Sequence, residues 1–186
     1  MILYIHGFAS CGDSTKTRLL KAHFGEANVF SPDLPVEPDA AIAFLIRMIE
    51  QNGITLLVGS SLGGYYATWL ANRYGLKAVL INPSTGPFET LKSFVGINRF
   101  WCSNEPFEWK SAYLDQLRRY DTKELSNIPA LLVLLQTADE VLDYTVAKKK
   151  YRAFDVIVEE GGNHRFENLA EYLEMIENFL HKEDPA

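Results

Sequence analysis

The stretch "VGSSLGGYYATWL", residues 58–70, joins an apolar run to a helix-period segment through two serines and three glycines, Gly59, Gly63 and Gly64. The run before it, Thr55–Val58, reads as a strand. After it, Leu62, Tyr65, Tyr66, Trp69 and Leu70 recur on one helical face that ends at Gly75. A strand passing into a helix through Gly59-Ser60-Ser61-Leu62-Gly63 matches G-x-S-x-G only with Ser61 at the centre. The turn in such an elbow is sharp, so the residues two before and two after the central serine have to be small. Gly59 and Gly63 meet that demand, and Ser60 need only be small enough to fit. A phosphate-cradling loop occupies the same context, but it needs a lysine followed by Ser or Thr. Here Tyr65 follows Gly64, and no G-x-G-x-x-G occurs.

Working outward, short apolar runs alternate with helix-period segments. The runs are Ile2–Ile5, Val29–Phe30, Thr55–Val58, Ala78–Ile81, Leu131–Leu135 and Val156–Val158. Several lack polar alternation, as parallel strands covered on both faces do. One helix presents Ile42, Leu45, Ile46 and Ile49, with Asp39 after Pro38 as its expected start and Gly53 as its stop. Another presents Leu169, Tyr172, Leu173, Ile176, Phe179 and Leu180. This order predicts a compact α/β fold, a mostly parallel sheet of about six strands with helices on both faces. From Asn82 to Pro129 no strand pattern is evident, while helix-like pieces occur near Phe88–Val95 and Glu108–Tyr120. Residues 1–186 therefore read as one domain carrying a small, helical, aromatic-rich cap-like insertion at about 83–129. The closing "HKEDPA" (181–186) reads as a frayed tail.

The composition is that of an ordinary globular chain. It has 186 residues, 47% of them apolar and 23% charged, which is enough to bury a sizeable core. A net charge of −6 argues against nucleic acid or an anionic membrane as partner. Cys11 and Cys102 are the only cysteines, so neither a disulfide framework nor a CxxC site is present, and free thiols in a reducing compartment are expected. No run approaches the length of a membrane span, and "MILYIHG" is too short and lacks the basic start of a signal peptide. A cytoplasmic location is the expectation. The basic run Lys148–Arg152 reads as a solvated helix face.

An elbow serine predicts partners in a set order, acid and then histidine. "QTADEVLDY" follows the run ending at Leu135 and offers Asp139, Glu140 and Asp143. "EEGGNHRFEN" follows the last strand and carries His164 in a glycine-rich loop. Asp139 is the preferred acid, four residues past the strand end, because Asp143 suits the N-cap of a helix beginning near Tyr144. Acyl transfer also needs two N–H donors converging on the oxyanion. The expected pair is the backbone N–H of Leu62, next after the serine, and that of Phe8 in His6-Gly7-Phe8 after the first strand. His6 is expected to brace this loop rather than act as base. Cys11 has no base placed for it.

The stretches "HGFAS" (6–10), "VGSSLGGYYATWL" (58–70), "INPSTGPFE" (81–89), "LLQTADEVLDY" (134–144) and "EGGNHRFEN" (160–168) together resemble the YqiA/YcfP-like small bacterial esterases of the α/β-hydrolase superfamily. The resemblance covers nearly the whole chain. It implies a compact α/β-hydrolase with Ser61, Asp139 and His164 as triad, hydrolysing carboxylic esters or acyl thioesters. Two positions depart from that family's pattern: Gly86 stands where a basic residue is usual, and Ala9 where a polar one is common.

Residues and resemblance converge on a cofactor-free, metal-free serine esterase acting on a small-molecule acyl ester or thioester. Trp101 and Phe107 of the insertion are expected to line the acyl pocket. An acyl-CoA thioesterase or a C–C bond hydrolase on the same triad is the alternative, followed by a non-catalytic binding protein with the same fold.

Overall fold

Each apolar run pairs with a run distant in sequence, so the sheet is assembled from non-local contacts. The computed structural model describes residues 1–182; of the tail, His181 ends the last helix, and 183–186 lie outside the described residues. Strands β1 (Ile2–Ile5), β2 (Val29–Phe30), β3 (Leu56–Ser60) and β4 (Lys77–Ile81) lie within one sheet. Later in the chain come the pair β5 (Gly96–Arg99) and β6 (Pro106–Trp109), then β7 (Leu131–Gln136) and β8 (Asp155–Glu159). The main sheet runs β2-β1-β3-β4-β7-β8, all parallel. The chain builds outward from β1 to β2, then crosses back to β3. The strand order therefore reverses between β1 and β3, and a crevice opens at their carboxyl ends, where open α/β sheets place their ligands.

Strand geometry sends successive side chains to opposite faces. Leu3, Ile5, Leu57, Leu80, Val133 and Leu135 pack on one side with helices α2 (Pro38–Asn52), α3 (Leu62–Tyr74) and, from the insertion, α5 (Ser111–Arg118). Ile2, Tyr4, Val58, Val79, Ile81 and Leu134 face the other side, covered by α1 (Thr15–Phe24) and by α7 (Leu173–His181), which a 3₁₀ turn at Leu169–Tyr172 precedes. Two short helices complete the chain, α4 (Pro87–Thr90) and α6 (Tyr144–Lys150). Helix α1, which the periodicity did not single out, is held by its Ser14 cap and by one buried apolar side chain, Leu20.

Two expectations need correction. The insertion is not purely helical: β5 and β6 form an antiparallel hairpin, with Ile97 opposite Glu108 and Asn98 opposite Phe107. Its alternation is hard to read because Ile97 points to solvent, 73% exposed, while only Trp109 is fully buried. Helix α2 begins at Pro38 after Glu37, and Asp39 caps nothing. Its carboxylate instead accepts the Tyr120 hydroxyl at 2.7 Å and pairs with Arg119, which fastens α2 to the end of the insertion.

The loop after β1 is braced from within. His6 is buried, its Nδ1 lies 2.9 Å from the Gly7 carbonyl, and its Nε2 accepts the Leu34 N–H at 3.1 Å. These contacts require a neutral ring with the hydrogen on Nδ1, and burial accordingly holds its pKa below the ordinary histidine value. His6 thus ties the β1 loop to the loop after β2.

Burial makes the strands unequal to the hairpin. Leu57→Ala is expected to cost about 2–5 kcal/mol in urea unfolding, whereas Ile97→Ala should stay within about 0.5 kcal/mol. Similar costs for both would contradict this packing. The His6 contribution is fully present above the unfolded-state histidine pKa and is lost as pH falls from there through the lower folded value. Wild-type stability should therefore drop more steeply than that of His6→Gln between about pH 7 and 5. Parallel slopes would rule out the neutral brace.

Candidate active site

The elbow depends on three close approaches that no side chain could share. A Cβ at Gly63 would stand 1.9 Å from the Ile5 carbonyl oxygen, and one at Gly59 would stand 2.4 Å from that of Gly63. A third, at Gly64, would meet Pro83 at 2.7 Å. Helix α3 therefore starts pressed against the ends of β1 and β4, with Ser61 at the bend at φ 55°, ψ −119°. That backbone conformation is costly for a residue with a Cβ. It is held by the Ser61 N–H donating to the Ile81 carbonyl at 3.1 Å, while its own carbonyl accepts from Gly64 and Ser84, both at 3.0 Å. Ser60 ends β3 and is buried.

Ser61, His164 and Asp139 come together from three separate loops. The Ser61 hydroxyl lies 3.0 Å from His164 Nε2. On the other side of the ring, Nδ1 lies 2.8 Å and 3.0 Å from the two oxygens of Asp139. An ionised carboxylate has no proton to give, so Nδ1 carries the hydrogen and the Nε2 lone pair faces the serine. The Asp139 side chain is 2% exposed, yet it is well supplied with donors. Its Oδ1 also accepts the N–H groups of Val141 at 2.9 Å and Leu142 at 2.8 Å.

The other two acids do different work. Asp143 accepts the Thr145 N–H at 2.9 Å and caps α6. Glu140 turns its carboxylate to the backbone N–H of His164 at 2.9 Å, and that bond draws its pKa below the usual glutamate range.

Sequence reasoning missed the residues that hold the histidine loop. Asn82 follows β4 at φ 39°. Its amide donates to the carbonyls of Asn163 at 3.0 Å and His164 at 3.3 Å, and its Oδ1 accepts the Gln136 N–H at 3.0 Å. Gln136 in turn accepts the Asn163 N–H at 2.9 Å and donates to Asn168 at 2.7 Å. From α1, Lys16 donates to the Arg165 carbonyl, and burial pushes its ammonium down to about 8. The one signal in the sequence was a polar Asn placed directly after the apolar run Ala78–Ile81, ahead of Pro83.

Phe8 and Leu62 stand on either side of the serine. A Cβ on Gly7 would sit 3.1 Å from the Ser61 Cβ, so the backbone leading into Phe8 runs directly beside Ser61. Among the described residues neither Phe8 nor Leu62 has an acceptor for its backbone N–H. A narrow cavity of about 30 Å³ adjoins them, walled by Phe8, Leu34, Val36, Tyr66, Phe107 and Trp109. The Phe8 ring packs edge-on against Phe94, Phe107 and Trp109, with centroids 5.1–5.6 Å apart. Phe107 thus lines the cavity. Trp101 does not: it lies on the hairpin turn, 80% exposed, because its backbone rather than its ring contacts the β1 loop. The larger depression between β8 and α7, about 640 Å³, opens at the opposite end of the strands, away from these groups. No helix among the described residues is long and apolar enough to cross a membrane.

The chain has many relatives. The UPF0227 protein of Serratia proteamaculans (strain 568) is 25% identical, with 96% of this chain and 98% of that one covered. That of Yersinia pseudotuberculosis serotype O:1b (strain IP 31758) is 27% identical over the same shares. Among solved structures, mouse alpha/beta hydrolase domain-containing protein 10 is similar at a TM-score of 0.74 and 13% identity, covering 96% of this chain and 88% of that one. The monoacylglycerol lipase of Paleococcus ferrophilus gives 0.71 and 15%, covering 96% and 93%. Est1E of Butyrivibrio proteoclasticus with ferulic acid bound gives 0.69 and 13%, covering 97% and 89%. At such identities the likeness is one of fold, and that fold is the α/β-hydrolase. The model of the uncharacterised protein family UPF0227 matches residues 1–181, so the chain belongs to that family.

Proposed function

We propose that the protein is a serine esterase that cleaves small carboxylic esters through an acyl-enzyme intermediate. The observation that carries this reading is the continuous line from buried Asp139 through His164 to the Ser61 hydroxyl, with contacts of 2.8 Å and 3.0 Å, at a strained strand-to-helix bend. His164 Nε2 takes the serine proton as Oγ attacks the ester carbonyl, then returns it to the departing alkoxide. Water repeats the cycle on the acyl-enzyme. Asp139 keeps the ring in the tautomer that leaves Nε2 free and stabilises the imidazolium formed in each half. The unpartnered N–H groups of Phe8 and Leu62 are suited to the oxyanion, whose charge develops beside Ser61. The kinship of fold with esterases and a lipase supports the reaction class.

The insertion's hairpin bounds the acyl side. A cavity of about 30 Å³ has room for one or two water-sized groups, so a short acyl chain fits while the roof stays in place. Longer chains require the aromatic cluster of Phe8, Phe107 and Trp109 to part.

The two serines and the two aspartates separate the roles. Ser61→Ala should lower kcat by about 10⁴ or more, and Ser60→Ala by no more than about tenfold. Asp139→Asn should cost on the order of 10³–10⁴ in kcat by favouring the other histidine tautomer. Asp143→Asn should change little, because asparagine caps a helix about as well. Steady-state hydrolysis of p-nitrophenyl esters reads all four; an inactive Ser60→Ala beside an active Ser61→Ala would reverse the assignment. Ester, thioester and β-diketone substrates run side by side identify which bond is cleaved best.

Acyl preference is the second measurement. Each methylene that the cavity accepts is worth roughly fourfold in kcat/KM. The wild type should peak among the short esters and decline on octanoate. Phe107→Ala should move the optimum to longer chains, and Trp101→Ala should leave it in place. A profile that is flat in all three proteins would separate the hairpin from acyl selection.

A further inference from the structure

The hairpin turn and the loop after β1 meet at a point that the hydrolytic chemistry does not use. The Trp101 N–H donates to the Ala9 carbonyl at 2.8 Å. This bond brings the segments that carry Cys11 and Cys102 side by side, and the Cys102 thiol lies close enough to Cys11 to act on its ionisation. They are the only cysteines in the chain, 91 positions apart, and both are free. Cys102 is exposed on the turn, and Cys11 is half-buried, with its thiol also directed to the Asp13 carbonyl at 3.4 Å. The turn is internally closed by Phe100 N–H to the Glu105 carbonyl, Asn104 N–H to the Phe100 carbonyl, and Arg99 to the Asn104 carbonyl. A tether at Cys102 would therefore restrain the hairpin as a unit.

We propose that Cys11 and Cys102 form a redox-active dithiol, whose oxidation to a disulfide pins the hairpin to the loop that carries Phe8 and narrows entry to the acyl cavity. The oxidant is a low-molecular-weight disulfide of the glutathione type. Exchange starts at the exposed sulfur: the Cys102 thiolate attacks the small disulfide, whose S–S bond breaks, and one small thiolate leaves and takes up a proton. The Cys11 sulfur then loses its proton, attacks the Cys102 sulfur of the mixed disulfide and expels the second small thiol. Two protein thiols and one small disulfide become one protein disulfide and two small thiols, with two electrons passing to the small molecule. Burial, reinforced by the neighbouring Cys102 thiol, pushes the Cys11 thiol up to about 12. Cys11 is thereby disfavoured as the first nucleophile and left as the resolving one. The part of the inference that concerns acyl entry rests on the esterase reading above; the disulfide does not.

The test incubates the full chain with glutathione disulfide and reads intact mass and thiol labelling. The wild type should lose two hydrogens and both alkylatable thiols as a monomer, and dithiothreitol should restore them. Cys11→Ser should stop at a stable glutathione adduct on Cys102, and Cys102→Ser should react far more slowly. A stable adduct on wild type, or a crosslink only between molecules, would overturn the dithiol. Oxidised and reduced wild type are then compared on p-nitrophenyl acetate and octanoate. Octanoate kcat/KM should fall about fifteenfold on oxidation, the worth of two buried methylenes, with acetate nearly unchanged and Cys102→Ser indifferent to treatment. An unchanged octanoate-to-acetate ratio in a protein shown by mass to be disulfide-bonded would overturn the effect on entry. Hydrolysis of neither ester by either form would count against the esterase reading, with the mass result standing separately.

Discussion

Helix α3 can begin directly behind β3 only because three positions around Ser61 have no side chain. The nearest of these approaches, 1.9 Å from a hypothetical Gly63 Cβ to the Ile5 oxygen, leaves no alternative to glycine. Everything at the carboxyl edge of the sheet follows from that contact. It sets α3 against β1, so Gly7 and Phe8 pass beside the serine. It also leaves the Leu62 N–H at the open end of a helix, next to the serine. The strain at Ser61 is held by a buried core on both faces of the sheet, where a domain of this size has stability to spare.

The histidine is held by a different kind of force. Its loop is glycine-rich and anchors itself in the core by one apolar side chain, Phe166, two residues past the histidine, which leaves the turn before it without packing of its own. Buried amides do the fixing. Asn82 and Gln136 sit at the ends of adjacent strands β4 and β7; Asn82 offers both a donor and an acceptor to backbone groups, and Gln136 accepts a backbone N–H and donates to the Asn168 side chain. Such a network is costly to break at any member, which makes it a rigid mount on an otherwise mobile kind of segment. Asp139 shows the same logic, since two backbone N–H groups and the imidazole offset the burial of its charge.

The insertion adds a surface that the sheet does not require. Its helix α5 is locked to α2 through Asp39, Tyr120 and Gln116, while its hairpin leans on Phe8 by ring contacts and on Ala9 by a single backbone bond. One end is thus fixed by several polar links and the other by a small aromatic cluster.

The sequence by itself determined the sheet, the elbow and the order in which Ser61, Asp139 and His164 follow their strands. These follow from short-range rules: apolar runs of strand length, helical periodicity, glycines two before and two after a serine, and polar residues just past strand ends. Even Asp143 as a helix cap was legible, because a cap acts within three residues. What only the tertiary structure decided depends on partners far apart in the chain. Whether Trp101 or Phe107 faces the cavity turns on how the hairpin lies against Phe8. The amide mount of His164 joins residues 82, 136 and 163, and the meeting of Cys11 with Cys102 spans half the chain. Side-chain amides, exposed aromatics and isolated thiols have no periodicity of their own, so their roles are set by the neighbours that folding brings to them.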